Sequence, residues 1–267
     1  MEFVVNNTLQ NGFRLLDHLG QKGEALSVKE LAEHFQLPNS HICRLLKSLT
    51  ETGYVEQLPR SRKYRISLKV LSLAHARLQK ERLLEVSRPY LRELAGKLDA
   101  AVFVTRRYGA FSLIIGTEYP PLCPAARETV IGALHSPTSS ACGQICAAYS
   151  SEEEQQQLLE EIDWSAPGDF QERPREFQEE LAIVRRRGYS LRNIPGGAGA
   201  VGVPVFEESC RFIGALGVML SPRRPRSSEL LQQVIEATLV CGKLVSFAQG
   251  APAEGYPHYI NPERKVK

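Results

Sequence analysis

The feature that most constrains this chain is a run of local signals in its first 70 residues that few folds can accommodate. Leu9, Phe13 and Leu16 recur at helical spacing, and Gly20 follows as a stop. Ser27-Val28-Lys29-Glu30 is a capping box: the Ser27 hydroxyl can accept from the amide three residues on, and Glu30 can reach back. Val28, Leu31, Ala32 and Phe35 then fill one face of a second helix. Gln36-Leu37-Pro38 breaks it, and Asn39 is a suitable N-cap for a third. In the third helix Ile42, Leu45, Leu46 and Leu49 point inward. Ser40, Arg44 and Lys47 lie on the opposite face with His41 and Cys43 on its flanks, and Gly53 ends the helix.

Two short helices joined by a tight turn make a helix-turn-helix. Tyr54 to Leu58 and Lys63 to Ser67 read as two strands around a Pro59-Arg60-Ser61-Arg62 turn, with Tyr64 and Ile66 inward and Lys63 and Arg65 outward. Three helices and a basic hairpin in that order describe a winged helix-turn-helix. Charge concentrates in the same place. The first 70 residues hold ten Lys or Arg against seven Asp or Glu, whereas the remaining 197 hold 23 against 23. Five of those ten basic residues fall between Arg60 and Lys69. Clustered positive charge is the footprint of a polyanion partner, and together with the winged helix-turn-helix pattern the expected one is a double-stranded DNA operator. The third helix is expected in a major groove through Ser40, His41, Arg44 and Lys47, with Ser27 and Asn39 at the helix starts. The wing residues Arg60, Arg62, Lys63 and Arg65 are expected on phosphate or in a minor groove. Arg44 can be bidentate to a guanine or clamp a phosphate. A winged helix used only for protein contacts would not need this polar, cationic outer face.

Composition sets the wider frame. The 267 residues are 43% hydrophobic and 24% charged, which is globular and long enough for two domains. No apolar run approaches the roughly 18 residues of a membrane span, the longest lying near Ile213 to Leu220. The start Met-Glu-Phe-Val-Val-Asn-Asn lacks the features of a signal peptide. Six cysteines at positions 43, 123, 142, 146, 210 and 241 form no CxxC pair, which suits reduced thiols. The expectation is a soluble, cytoplasmic protein.

Residues 71–98 are expected to be linker helices, from Leu71, Leu78, Leu83, Leu84, Val86, Leu91 and Leu94, with an interruption near Pro89. Over 99–249, Ala101 to Thr105 and Ser112 to Gly116 read as a hairpin, and Thr129 to Leu134 as a further strand. Ala141 to Tyr149, Glu152 to Ile162 and Glu176 to Arg187 read as helices. Val201 to Phe206 and Phe212 to Leu220 are apolar strands, and Ser228 to Phe247 is a last helix. Hairpins with helices between them imply an α+β domain with an antiparallel sheet. The tail, 250–267, is polar and is expected to be poorly ordered.

These motifs together resemble one family. Leu37-Pro38-Asn39-Ser40-His41-Ile42-Cys43-Arg44-Leu45-Leu46, with Leu49, Gly53-Tyr54-Val55 and Tyr64-Arg65-Ile66, resembles the DNA-binding domain of IclR-type bacterial transcriptional regulators. Leu134-His135, Ala141-Cys142-Gly143-Gln144, Arg187-Gly188-Tyr189, Val201 to Val205 and Ala215 to Val218 are similar to segments of the family's effector domain, so the resemblance spans roughly 8–248. It implies a GAF- or PAS-like effector-binding domain, joined by a linker helix to the winged helix-turn-helix. It further implies a small-molecule effector whose carboxylate meets backbone amides near Ser140, Ala141, Cys142 and Gly143, with Arg192, Ala200, Gly217 and Met219 completing the pocket. Arg192 and Asn193 stand where several relatives carry an acid, Ala200 where a cysteine stands, and Gly217 and Met219 where serines stand. With Arg192 inward, and Gly217 and Met219 leaving room for an apolar body, the pocket would take an organic acid with a hydrophobic or aromatic portion in preference to a small polar acid such as glyoxylate. The alternative places Arg192 on the surface.

No catalytic constellation appears. Ser139-Ser140 near His135 has no Gly-x-Ser-x-Gly elbow and no orienting acid, so no enzyme activity is expected. Cys142 and Cys146, with His135 or Cys123, lack the pattern of a zinc site and suit buried thiols. Gly196-Gly197-Ala198-Gly199 lacks a P-loop lysine, so no cofactor is expected. A dimer or a dimer of dimers is expected, because one winged helix discriminates poorly among genomic sites. Helix 1 and the Val70 to Leu84 segment would offer the apolar surface. The competing reading makes the second domain an oligomerisation module without ligand.

Overall fold

A computed structural model describes residues 6–120, 130–165, 173–193, 199–220 and 227–252. The chain divides into two units between Lys80 and Glu81. The first contains α1 (Asn7–Lys22), α2 (Val28–Phe35), α3 (Asn39–Glu51), β1 (Val55–Gln57), β2 (Tyr64–Ile66) and α4 (Val70–Leu78). The capping box forms in full: Ser27 Oγ accepts from the Glu30 amide at 3.2 Å, and the Ser27 amide donates to Glu30 Oε2 at 2.7 Å. The turn into α3 closes through Gln36, whose φ of 52° lets its amide reach back to Ala32 and Glu33.

Three local expectations need correcting. Asn39 is the first residue of α3, not its cap. Pro38 takes the cap position and its carbonyl accepts from the His41 and Ile42 amides. In α1 the residues that face the core are Gly12, Leu15 and Leu19, while Leu9 and Phe13 are each 60% exposed. The 9-13-16 spacing is helical, but Leu9 and Phe13 mark an outward apolar stripe and only Leu16 packs against the core. Leu15, Leu19, Leu31, Ile42, Leu46 and Val55 form the centre of the small core. The third correction concerns the end of α1, which runs through the expected stop at Gly20 to Lys22 and closes on Gly23 at a φ of 66°. In the wing, Leu26 and Tyr64 exchange backbone bonds at 2.8 and 2.7 Å, tying the hairpin to the start of α2. No residue of α4 is buried.

The second unit opens with α5 (Arg82–Leu98), followed by β3 (Ala101–Tyr108), β4 (Phe111–Glu118), β5 (Leu134–His135), α6 (Ala141–Ala148), α7 (Glu152–Glu161) and α8 (Pro174–Arg187). It ends with β6 (Ser190–Asn193), β7 (Gly199–Phe206), β8 (Phe212–Leu220) and α9 (Ser228–Ala248). Pro89 does not interrupt α5, although a proline inside a helix costs about 3 kcal/mol or more. Seven buried residues, from Leu83 to Leu98, hold the helix against β3, β4 and α9 and outweigh that cost. This half of the expected linker is therefore part of the second unit's core.

Six antiparallel strands run in the order β5-β4-β3-β8-β7-β6. Side chains alternate across the sheet. Gly116 and Gly214 meet Leu84 and Leu83 of α5, whereas Gly217 meets Cys142 of α6. Helices α5 and α9 thus cover one face, and α6 with its neighbours covers the other. The expected strand over 129–134 shrinks to Leu134–His135, because Val130 to Ala133 form a turn that bonds back to Ile114. Thr129 and Cys123 lie outside the described residues, as does the stretch 253–267 of the expected tail. Helix α9 is long and apolar enough to cross a membrane by length and composition, although Glu236 and Lys243 interrupt its apolar run. It packs instead on α5, β7 and β8 of its own unit.

Candidate DNA-reading helix and ligand cavity

The outer face of α3 carries exposed Asn39, Ser40, Arg44 and Lys47. Arg44 makes no ion pair among the described residues, and Lys47 reaches Glu51 at 3.9 Å in an exposed pair worth little. His41 is only half-exposed and its Nε2 is buried without a hydrogen-bond partner, so the ring leans inward from the expected reading face. Ser27 spends its hydroxyl on the α2 cap. In the wing, Lys63 lies 3.2 Å from Glu30 and Arg65 lies 2.6 Å from Glu56. Bonds from the Ser27 amide and hydroxyl and from Lys63 hold the Glu30 carboxyl at about 2, so that acid stays ionised and its partner's charge is offset. Arg60 and Arg62 at the wing tip are exposed and make no ion pair among the described residues. Arg60, Arg62 and Arg44 are therefore the uncompensated cations of the expected set.

In the second unit a cavity of about 160 Å³ opens where the N-terminus of α6 meets the sheet. Phe103, Ile114, Ala200 and Met219 supply apolar walls, and Ser112, His135, Ser139, Ser140 and Ala141 with Cys142 supply the polar rim. Ser140 caps α6, its hydroxyl accepting from the Gly143 amide at 3.0 Å. The Ala141 and Cys142 amides keep no acceptor among the described residues, as helix geometry leaves them. Burial lowers His135 from its ordinary 6.5, so it enters neutral solution uncharged. Burial likewise raises Cys142 far up and Cys146 to about 12, which makes both neutral, unreactive thiols.

Five of the eight residues expected around an effector line this space: Ser140, Ala141, Cys142, Ala200 and Met219. Three do not. A Cβ at Gly143 would lie 2.8 Å from backbone atoms of Ser136 and Pro137, so that glycine is packed into the preceding turn. A Cβ at Gly217 would lie 2.4 Å from the Phe103 ring, so the room expected there is already filled. Arg192 is neither inward-lining nor on the surface. It is 5% exposed and donates to the Thr138 carbonyl, in the turn that leads to Ser139 and Ser140. Phe103, Ser112 and Ile114 were not expected at the site. Their alternation places them on known strands, but only pairing and helix placement choose which face meets α6.

Comparison with known proteins follows the same division. The model of the IclR helix-turn-helix domain matches residues 8–59, and that of the bacterial transcriptional regulator IclR C-terminal domain matches residues 75–247. The chain belongs to the IclR family of bacterial transcriptional regulators. The HTH-type transcriptional regulator XynR of Escherichia coli is 25% identical over 250 residues, 92% of this chain and 98% of its own. An IclR family transcriptional regulator from Brucella abortus matches with a TM-score of 0.78 at 21% identity, over 91% of this chain and 92% of that one. An IclR homologue from Microbacterium hydrocarbonoxydans, complexed with 4-hydroxybenzoate, matches with a TM-score of 0.71 at 16% identity, over 91% and 99%. The solved structures establish the fold, and the family establishes the role: this IclR-family member is a DNA-binding transcriptional regulator, not an enzyme.

Proposed function

We propose that this regulator senses a small aromatic carboxylate in its second unit and alters operator binding in response. The observation that carries this reading is the α6 cavity, because its size and lining suit a small ring acid. An engineered apolar cavity of roughly 150 Å³ holds benzene, and about 160 Å³ is of that order. Apolar walls suit a ring, while the free Ala141 and Cys142 amides at a helix N-terminus suit a carboxylate. No Lys, Arg, Asp or Glu is among the described lining residues, so there the helix-start amides, the hydroxyls and the neutral His135 would hold the anion. The 4-hydroxybenzoate of the Microbacterium homologue is a molecule of this class. Arg192 supports the site indirectly, by holding Thr138 and hence the rim.

On the DNA side the reading assigns base contact to Ser40 and Arg44, and phosphate contact to Lys47, Arg60 and Arg62. The working unit is at least a dimer in the cytoplasm, on a pseudo-palindromic operator. Exposed Leu9 and Phe13 of α1 and Leu71 and Leu73 of α4 supply apolar surface for pairing. Thermal-shift titration of the full chain with benzoate, 4-hydroxybenzoate and glyoxylate tests the sensor. A ligand that binds only the native state raises its melting temperature. A rise with the benzoates and none with glyoxylate is the expected result; no rise with any of them would favour a ligand-free oligomerisation domain.

A further inference from the structure

Phe103 and Gly217 are register partners on neighbouring strands, β3 and β8, and both face α6. Phe103 is 6% exposed and forms one wall of the cavity. A Cβ at Gly217 would lie 2.4 Å from Cε2 and Cζ of that ring and 2.7 Å from Cys142 Sγ. Ordinary carbon contacts are about 3.5–4.0 Å. The Cε2–Cζ edge of the ring therefore occupies the space that any side chain at 217 would need. The same side chain lines the cavity.

We propose that the Phe103–Gly217 pair sets the size limit of the site: the ring occupies one ring's worth of a larger cleft, and Gly217 exists to seat it there. This rests on reading the cavity as a ligand site. With the phenyl in place the remaining space fits a single six-membered ring. Removing the phenyl merges its volume with the cavity and admits a fused two-ring acid. A side chain at 217 does the opposite and drives the ring toward the ligand space.

The test is calorimetric titration of the full chain, Phe103→Ala, Phe103→Leu and Gly217→Ala with 4-hydroxybenzoate and with 2-naphthoate. Apolar pockets discriminate shape differences of one methylene by roughly 10–200-fold, so a whole ring should exceed tenfold. The unchanged chain should prefer 4-hydroxybenzoate by at least about tenfold, and both Phe103 variants should reverse the preference. Gly217→Ala should lose affinity for 4-hydroxybenzoate. Phe103→Leu, which keeps an apolar side chain, carries the test if Phe103→Ala does not fold. Folded Phe103 variants with an unchanged affinity ratio would overturn the size limit while leaving the sensor reading intact. If the unchanged chain binds neither acid, a gain of 2-naphthoate binding in Phe103→Leu still supports the size limit and removes only the single-ring ligand. No binding by any of the proteins overturns both.

Discussion

Gly202→Ala adds one methyl group to β7, and the structure makes its consequence unusually direct. An ideal Cβ there would sit 2.8 Å from the Ala141 carbonyl carbon, 2.9 Å from its oxygen and 3.0 Å from the Cys142 nitrogen. All three are backbone atoms, so no rotamer change relieves the clash. Gly202 also pairs with Gly217 across β7 and β8, which makes a flat floor under the first turn of α6. Restoring ordinary contact requires the helix start to retreat by roughly 0.5–1 Å. Overpacking of this kind costs about 1–3 kcal/mol. For a domain of this size that is about 2–4 °C per kcal/mol, hence a melting temperature lower by roughly 2–12 °C. The single tryptophan gives a selective assay, because Trp164 packs on Phe177 in the second unit. Its fluorescence through urea or thermal unfolding follows that unit alone. Gly96→Ala is the internal control: it lies in exposed α5 backbone with nothing within 4 Å of a Cβ, and should stabilise by about 0.5–1 kcal/mol through helix propensity. A Gly202→Ala protein as stable as the parent, or two glycine variants that shift together, would refute the close-approach argument.

Other outcomes follow from the same geometry. Arg44→Ala should weaken operator binding by about 1–3 kcal/mol in fluorescence anisotropy near physiological salt, and unchanged affinity in the Arg44→Ala, Lys47→Ala double variant would remove α3 as the reading helix. Ser27→Ala should cost the first unit about 1 kcal/mol through loss of the cap, measured by chemical denaturation. Burial depresses His135 in the native state, so the unfolded chain binds more protons; stability from this group is full above pH 6.5 and declines as pH falls below it. His135→Gln should flatten that decline in tryptophan-monitored unfolding, and an unaltered pH profile would mean the ring is hydrated. Arg192→Ala should abolish the ligand response while sparing DNA binding, with roughly 1–3 kcal/mol lost from the unpaired Thr138 carbonyl. A normal response in that variant would show that the rim does not depend on it.

What the sequence determined by itself is what neighbours along the chain can decide. Four residues suffice for the Ser27–Glu30 capping box, and the stretch from Ile42 to Leu49 for the inward face of α3, because both patterns close within about two helical turns. The strand over Phe212–Leu220 was equally legible, since an unbroken apolar run between turn residues has few other uses. Tertiary structure decided which face of each element is used. The spacing of Leu9 and Phe13 gave a helix but not the side that Leu15 and Leu19 bury. Lys63 and Arg65 counted as free charge until folding set Glu30 and Glu56 beside them, 33 and 9 residues away. Gly217 read as open space until the pairing of β3 with β8 laid the Phe103 ring over it, 114 residues distant in the chain. Periodicity along one strand reports that side chains alternate, and carries no information about which strand will lie next to it or what helix will cover it. The cavity is made entirely of such pairings, drawing on β3, β4, β5, α6, β7 and β8 at once, so it exists only when the sheet has closed beneath α6.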